Sequence, residues 1–411
     1  MREGSVKAAG ATEPVVRGET ENSQGGFVLV MRAPGFRLRA KVQGTSEMST
    51  MAITIQQAKL DAGGFYTDAV RLPSSFGGAK SKFLSLVLIS VVVCLAMRVS
   101  LVHAASPFTI IGVPDIENET QDYPAMLQSQ VDWIVSNRAS QNIAFVAQQG
   151  DLTSLPTTGQ FSTASNKLFQ ISSSAPGLPW GVLPGNHDFD RANYIDAFGP
   201  SKFAGQSWYG GAYNDSSYQT FAAGGRNYLM IDVEYNPSLS VLDWAQSVIT
   251  ANPGMPTIIN THDYLAGSSG RSTMGNLIFS GALTDNPDGL VYGNSQVFMV
   301  LCGHIFASPW NQTSIDKAGQ PVFENLADYQ NTSSGDGYMR LYQFDETNSM
   351  IHVSTYSPYD ATTPYLTDSL NQFDISMDFN ARLGIVPEPA TLCLLAVGGV
   401  ALLMRHRKLV G

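Results

Sequence analysis

The sequence predicts an α/β domain in its central part, and three observations predict it. Five apolar, strand-like runs between residues 108 and 302 each pass into a short motif of glycine and polar residues. Between them lie segments with apolar residues at helical spacing, set off by turn-forming Gly, Asn and Pro. Alternation of this kind builds a sheet with parallel strands and covers its faces with helices. In such sheets, ligand sites form beyond the carboxyl ends of the strands, which is where the polar motifs fall.

Taken in order, Phe108-Thr-Ile-Ile-Gly-Val113 reads as a buried strand leading to Asp115, and a helix follows over Ala125 to Asn137. Ile143-Ala-Phe-Val-Ala147 leads to Gly150-Asp151, with a second helix over Ser165 to Ser172. Trp180-Gly-Val-Leu183 runs into Gly185-Asn-His-Asp188, and a further strand is centred near Tyr228. The helix from Leu239 to Asn252 places Val241, Trp244, Ala245, Val248 and Ile249 on one face and is ended by Asn252-Pro-Gly254. Thr257-Ile-Ile-Asn260 delivers His262, and Val297-Phe-Met-Val-Leu-Cys302 delivers His304. Strands over Tyr338 to Phe344 and Ile351 to Thr355 flank the hairpin-type turn Asp345-Glu-Thr-Asn348. Ala204 to Ser217 and Gly267 to Gly293, rich in Gly, Ser, Tyr and Asn, are expected to be loops overhanging the site.

The motifs carry carboxylates, an amide and imidazoles, a donor mixture suited to Mn, Fe or Zn ions. Paired ions of that kind cancel the charge of a phosphate ester, lower the pKa of bound water and hold the leaving oxygen. Three of the four histidines between residues 106 and 385 fall in motifs, while His352 lies in a strand and is read as structural.

On these motifs, Gly185-Asn-His-Asp188 above all, the chain resembles the calcineurin-like metallophosphoesterase superfamily from about Pro107 to Pro358. The resemblance implies one catalytic domain with a four-layer αββα sandwich. It also implies a divalent metal centre of one or two ions. Asp151 would bridge them, Asn186, His262 and His304 would complete one ion, and Asp115, with Glu117, would hold the other. His187 would act on the leaving oxygen, oriented by Asp188. Two departures touch the Asp115 ion: the superfamily's Asp-x-His reads Asp115-Ile-Glu117, and its Gly-His-x-His reads Gly303-His304-Ile-Phe306. One tight ion and one weak or absent ion are therefore expected.

The ends of the chain read as addresses. Residues 1–79 are rich in Gly, Ser, Thr and basic residues, and are expected to be disordered or the product of a start placed too far upstream. Residues 80–105 have the pattern of a signal peptide: Lys80-Ser-Lys82, an apolar run to Ala96, and small residues at Ala104 and Ala105. Residues 386–411 combine Val386-Pro-Glu-Pro389, a short apolar run and a basic terminus. That pattern resembles the PEP-CTERM sorting signal, which implies an exosortase-type processing enzyme as partner and a bacterial host. It also implies transient anchoring in the inner membrane, then release to the cell surface or extracellular matrix. The catalytic domain is assigned to residues 106–385. It keeps one cysteine, Cys302, so no disulfide forms within it.

Nine Lys or Arg stand against twenty-six Asp or Glu in residues 106–385, a net charge of −17. A domain this acidic repels phosphate-rich polymers, so nucleic acid is not expected as a partner. The expected function is an exported phosphoesterase acting on phosphate mono- or diesters, its substrate a small phosphoester. The alternative is a surface or matrix protein that keeps the fold and one metal but no longer hydrolyses.

Overall fold

The computed structural model describes residues 106–306, 309–330 and 336–384, and the backbone of six strands further upstream. Those strands are β1 (Val15–Thr20), β2 (Phe27–Ala33), β3 (Phe36–Gly44), β4 (Thr50–Leu60), β5 (Phe65–Tyr66) and β6 (Ala69–Pro73). They make an antiparallel sheet of their own, in the order β1-β2-β3-β4-β5 with β6 beside β4. The stretch expected to be disordered thus holds strands. Runs such as Phe27-Val-Leu-Val30 and Ile53-Thr-Ile55 carry a strand preference that the average composition conceals. The expected signal peptide at 80–105 and sorting signal at 386–411 lie outside the described residues. Among the described residues, no helix is long and apolar enough to cross a membrane.

The unit that contains the motifs is mixed α/β, with two seven-stranded sheets. The first has at one end three parallel strands, β7 (Phe108–Val113), β8 (Ile143–Gln148) and the short edge strand β9 (Trp180–Gly181). The second has a parallel centre of β12 (Arg226–Val233), β13 (Thr257–Thr261), β14 (Val297–Cys302) and β16 (Pro321–Leu326). Antiparallel strands extend both. To the second sheet belong β10 (Tyr209–Tyr213), β11 (Ser216–Ala223) and β15 (Trp310–Ile315); to the first, β17 (Met339–Asp345), β18 (Met350–Tyr356), β19 (Tyr365–Leu366) and β20 (Phe373–Ser376).

Strand alternation assigns each side chain to a face. Phe108, Ile110, Phe145 and Ala147 point from the first sheet into a core shared with Tyr228, Met230, Ile258, Phe298 and Leu301 of the second. Burying each of the larger of these stabilises the fold by roughly 1.5–3 kcal/mol. Ile111, Val113 and Val146 point the other way, onto helices α2 (Pro124–Asn137) and α3 (Thr158–Ser174), which follow the one-turn α1 (Glu117–Gln121). Leu229, Ile231, Val233 and Val300 face α5 (Leu239–Ala251) and α6 (Thr273–Ser280). Helices therefore cover the outer face of each sheet, while the inner faces pack on one another.

Some elements depart from expectation. Helix α3 begins seven residues before the expected Ser165, because Thr157 caps it by accepting the amide of Gln160. Helix α4 (Arg191–Phe198) was not expected; Asp190 caps it through the amide of Asn193. The two expected loops contain β10 and α6, whose Gly- and Ser-rich sequences hide their periodicity. The short helix α7 (Phe379–Leu383) closes the described part of the chain.

Candidate metal centre

The motif residues all follow the carboxyl ends of parallel strands, three in the first sheet and two in the second. Asp115 follows β7, Asp151 follows β8, Asn186 and His187 follow β9, His262 follows β13 and His304 follows β14. The loops they stand on are tightly constrained. Asp151 and His304 hold left-handed backbone, at φ 48° and 77°, which non-glycine residues rarely adopt and which clusters at functional sites. Gly150 has φ 96°, and a Cβ there would lie 2.5 Å from Nδ1 of His262. A Cβ on Gly185 would lie 2.1 Å from Oδ1 of Asp151. Each of these glycines makes room for a site residue from another motif.

Two sets of donors converge. Asp151, His262 and His304 offer ligand atoms within 4.8 Å of one another, and so do Glu117, Asp151 and His187. Asp151 is common to both. The His262 ring shows most directly what such a set accommodates. Its Nδ1 donates to the carbonyl of Gln149 at 2.9 Å, which leaves Nε2 facing Oδ1 of Asn186 at 2.8 Å and Oδ2 of Asp151 at 3.2 Å. In the neutral ring these are three lone-pair bearers pointed at one place, and a proton or a cation must lie among them. The oxygen and nitrogen donors fit a divalent transition-metal ion.

The titration tendencies follow the same crowding. Burial pushes the Asp151 carboxyl up, but the charge and hydrogen bond of His262 and the amide of His187 overcome it and hold the carboxyl below its usual value. Burial pulls the His262 imidazole down, yet Asp151 and the Gln149 carbonyl lift it above the usual value. His304 is lowered, by burial and then by the neighbouring His262. Glu117 is pushed up to about 7 by burial and by the Asp151 charge, against the opposing pull of His187.

The structure rearranges some of the expected roles. Glu117 reaches the site from the start of α1, with Oε2 3.1 Å from Nδ1 of His187. The same Nδ1 lies 3.0 Å from the carbonyl of Ser154, so Ser154 and Glu117 orient the ring. Asp188 does not. Its carboxylate is buried and accepts the amides of Leu152, Thr153 and Gly185 and the hydroxyl of Thr153. It clasps the loop after β8 to the loop after β9, and burial raises its carboxyl to about 6.

Asp115 is also placed differently, belonging to neither convergent set. It is buried, accepts the amide of His304 at 3.2 Å, and its Oδ1 lies 3.9 Å from Nδ1 of His262. Burial, then the charges of Asp328 and Asp151, raise its carboxyl well above the usual value.

Sequence reading missed Asp328. It follows β16, whose end lies beside that of β14 through the Leu326↔Cys302 pairing. Leu-Ala-Asp328 matches no motif, and the run Val322-Phe-Glu-Asn-Leu326 mixes polar with apolar residues, so nothing marked it as a strand leading to a site. Phe306 is 55% exposed. Tyr235, 5.6 Å from the ring of His304 and 5.8 Å from that of His262, also went unnoticed. Cys302, which precedes Gly303-His304, is buried and in no disulfide among the described residues, packed as a small apolar residue would be.

Residues 386–408 match the PEP-CTERM protein-sorting motif, a signal read by exosortase-type processing enzymes and associated with export to the cell surface. Over 298 residues the chain is 31% identical to the uncharacterized protein YvnB of Bacillus subtilis (strain 168). That match takes in 68% of this chain but only 22% of the relative, so the chain spans about a fifth of YvnB's length. Among solved structures, GAP50, the anchor in the inner membrane complex of Plasmodium, aligns over 69% of this chain and 98% of its own at 11% identity, with a TM-score of 0.40. Neither fold nor role transfers at that level of likeness.

Proposed function

We propose that residues 106–385 form a calcineurin-like, metal-dependent phosphoesterase of the four-layer sandwich type, carried on an exported chain. The observation that supports this reading best is the convergence of Asn186, Asp151 and His262 on one point, with Asp151 shared by a second set of donors.

The residues divide the work as follows. Asp151, Asn186, His262 and His304 would hold one ion, and Glu117 and Asp151, beside His187, would line the place of another. Divalent ions at these places supply charge neutralisation for a phosphate ester and activation of water. His187 has Nδ1 directed at Ser154 and Glu117 and a side chain that is 41% exposed, so Nε2 is left to meet a leaving oxygen from solvent. Its imidazole is held above the usual value because the Ser154 carbonyl and the carboxylates of Asp151, Glu117 and Asp188 outweigh the effect of partial burial. It is therefore able to carry the proton that a departing alkoxide requires. Asp115 and Asp328 support the floor of the site rather than its mouth.

A second reading, a surface protein that keeps the fold and one ion but does not hydrolyse, rests on Phe306 and on the position of Asp115 outside both donor sets. The two readings separate in one assay. Chromogenic phosphate monoesters and diesters are offered to the protein with Mn²⁺ and with chelator, alongside Asn186→Ala. We expect metal-dependent turnover that falls at least a hundredfold in the variant. Turnover equal in wild type and variant for every substrate would favour the non-hydrolysing reading.

A further inference from the structure

The mouth of the centre has an aromatic wall that the proposed chemistry does not use. Phe189 comes immediately after Asp188 and is 73% exposed, among the largest exposures of any bulky apolar side chain in the described residues. Its ring stands 6.0 Å from that of Tyr235, at an interplanar angle of 74°. Tyr235 is in turn 5.6 Å from the ring of His304, so aromatic surface leads from a proposed ion ligand out to solvent. The wall is held in place at both ends. The amide of Tyr235 donates to the carbonyl of Pro184 at 3.1 Å, and Phe189 stands between the Asp188 clasp and the Asp190 cap of α4.

Two more exposed apolar side chains adjoin residues of the site. Leu155 follows Ser154, whose carbonyl orients His187, and Phe306 lies two residues beyond His304; they are 59% and 55% exposed. Scattered apolar residues on a surface need no explanation, but a group of them around a polar cleft points to a ligand. Two rings at nearly a right angle present one face and one edge. That corner suits a third flat ring, which gains offset or edge-to-face contact that an alkyl chain of equal size does not.

We propose that Phe189 and Tyr235 form a subsite for an aromatic group carried on the phosphoester, so that the preferred substrates are aryl or other ring-bearing phosphate esters. The proposal rests on the phosphoesterase reading for the position of the phosphate and adds the class of its substituent. The net charge of −17 over residues 106–385 agrees, since it disfavours polyanionic substrates and leaves the substituent to provide recognition.

The test is equilibrium binding, which does not depend on turnover. Methyl-, cyclohexyl- and phenylphosphonate are titrated by calorimetry into the full chain loaded with Mn²⁺, as wild type, Phe189→Leu and Phe189→Ala. We expect phenylphosphonate to bind wild type about fivefold tighter than cyclohexylphosphonate, the preference to vanish in both variants, and methylphosphonate to bind all three alike. Because Phe189 is largely exposed, neither substitution threatens folding. Equal binding of the phenyl and cyclohexyl compounds, or a preference that survives in Phe189→Ala, would overturn the aromatic subsite while leaving the ion centre in place. If none of the three phosphonates bound, the subsite and the phosphoesterase reading would fall together.

Discussion

Asp188 shows how a residue can sit inside a functional motif and do structural work. It accepts three backbone amides and one hydroxyl, all from the loops that carry Asp151 and Asn186. Removing it leaves those amides buried without an acceptor, which costs more than the bonds themselves contribute. Asp188→Ala is expected to destabilise the fold by about 3–5 kcal/mol in urea unfolding, whereas His187→Ala, at a partly exposed position, should cost less than about 1 kcal/mol. If His187→Ala proved the costlier change, the clasp assignment would fail. Gly-Asn-His-Asp was legible as a unit in the sequence, but the division of labour within it was not, since adjacent side chains in a tight turn point in different directions. Asp190 teaches the same lesson: taken alone it reads as a solvated charge, and in the fold it caps a helix.

At the scale of elements, a polar link between the sheets sets the floor of the site. The Nδ2 of Asn260 on β13 donates to Asp232 on β12 at 2.7 Å and to the carbonyl of Gln148 on β8 at 2.9 Å, tying the two sheets together two residues before His262. Burial pushes the Asp232 carboxyl up to about 7, although hydrogen bonds from Asn260, Gln219 and Ser217 work against the shift. The sign follows from linkage. The folded-state value lies above the unfolded one, about 3.9, so between them the native state binds the extra proton and stability declines as pH rises through the window. In metal-free protein, Asp232→Asn should flatten the fall in stability between about pH 4 and pH 7, by at most about 4 kcal/mol. Unfolding curves that lose stability equally over this range in wild type and variant would count against Asp232 as the group responsible.

For the whole molecule, the candidate donors come from strand ends on both sheets, so an ion held by them would couple its binding to folding. An ion that binds only the folded chain stabilises it by about 2.7 kcal/mol at a hundred times its dissociation constant. Mn²⁺ is expected to raise the thermal midpoint of the wild-type chain by several degrees, chelator to reverse the gain, and His262→Ala to abolish it. A midpoint indifferent to Mn²⁺ and chelator would argue that the convergent donors hold a proton instead. The acidic surface acts at this scale too: it favours cations over the whole domain, so the specific effect is the part that His262→Ala removes.

The sequence by itself determined the apolar strands from Phe108 to Cys302 and the polar residues that follow them, because strands buried on both faces are continuous apolar runs and glycine-flanked polar motifs interrupt them visibly. It also carried the sorting motif at residues 386–408, a local signal that needs no fold to be read. Only the tertiary structure decided which donors meet. That Asp115 accepts the amide of His304, whether Glu117 belongs to a loop or reaches His187, and that Tyr235 stands beside His304 all depend on how two sheets are packed and where their loops bend. Those distances join residues far apart in the chain, and no local pattern records them.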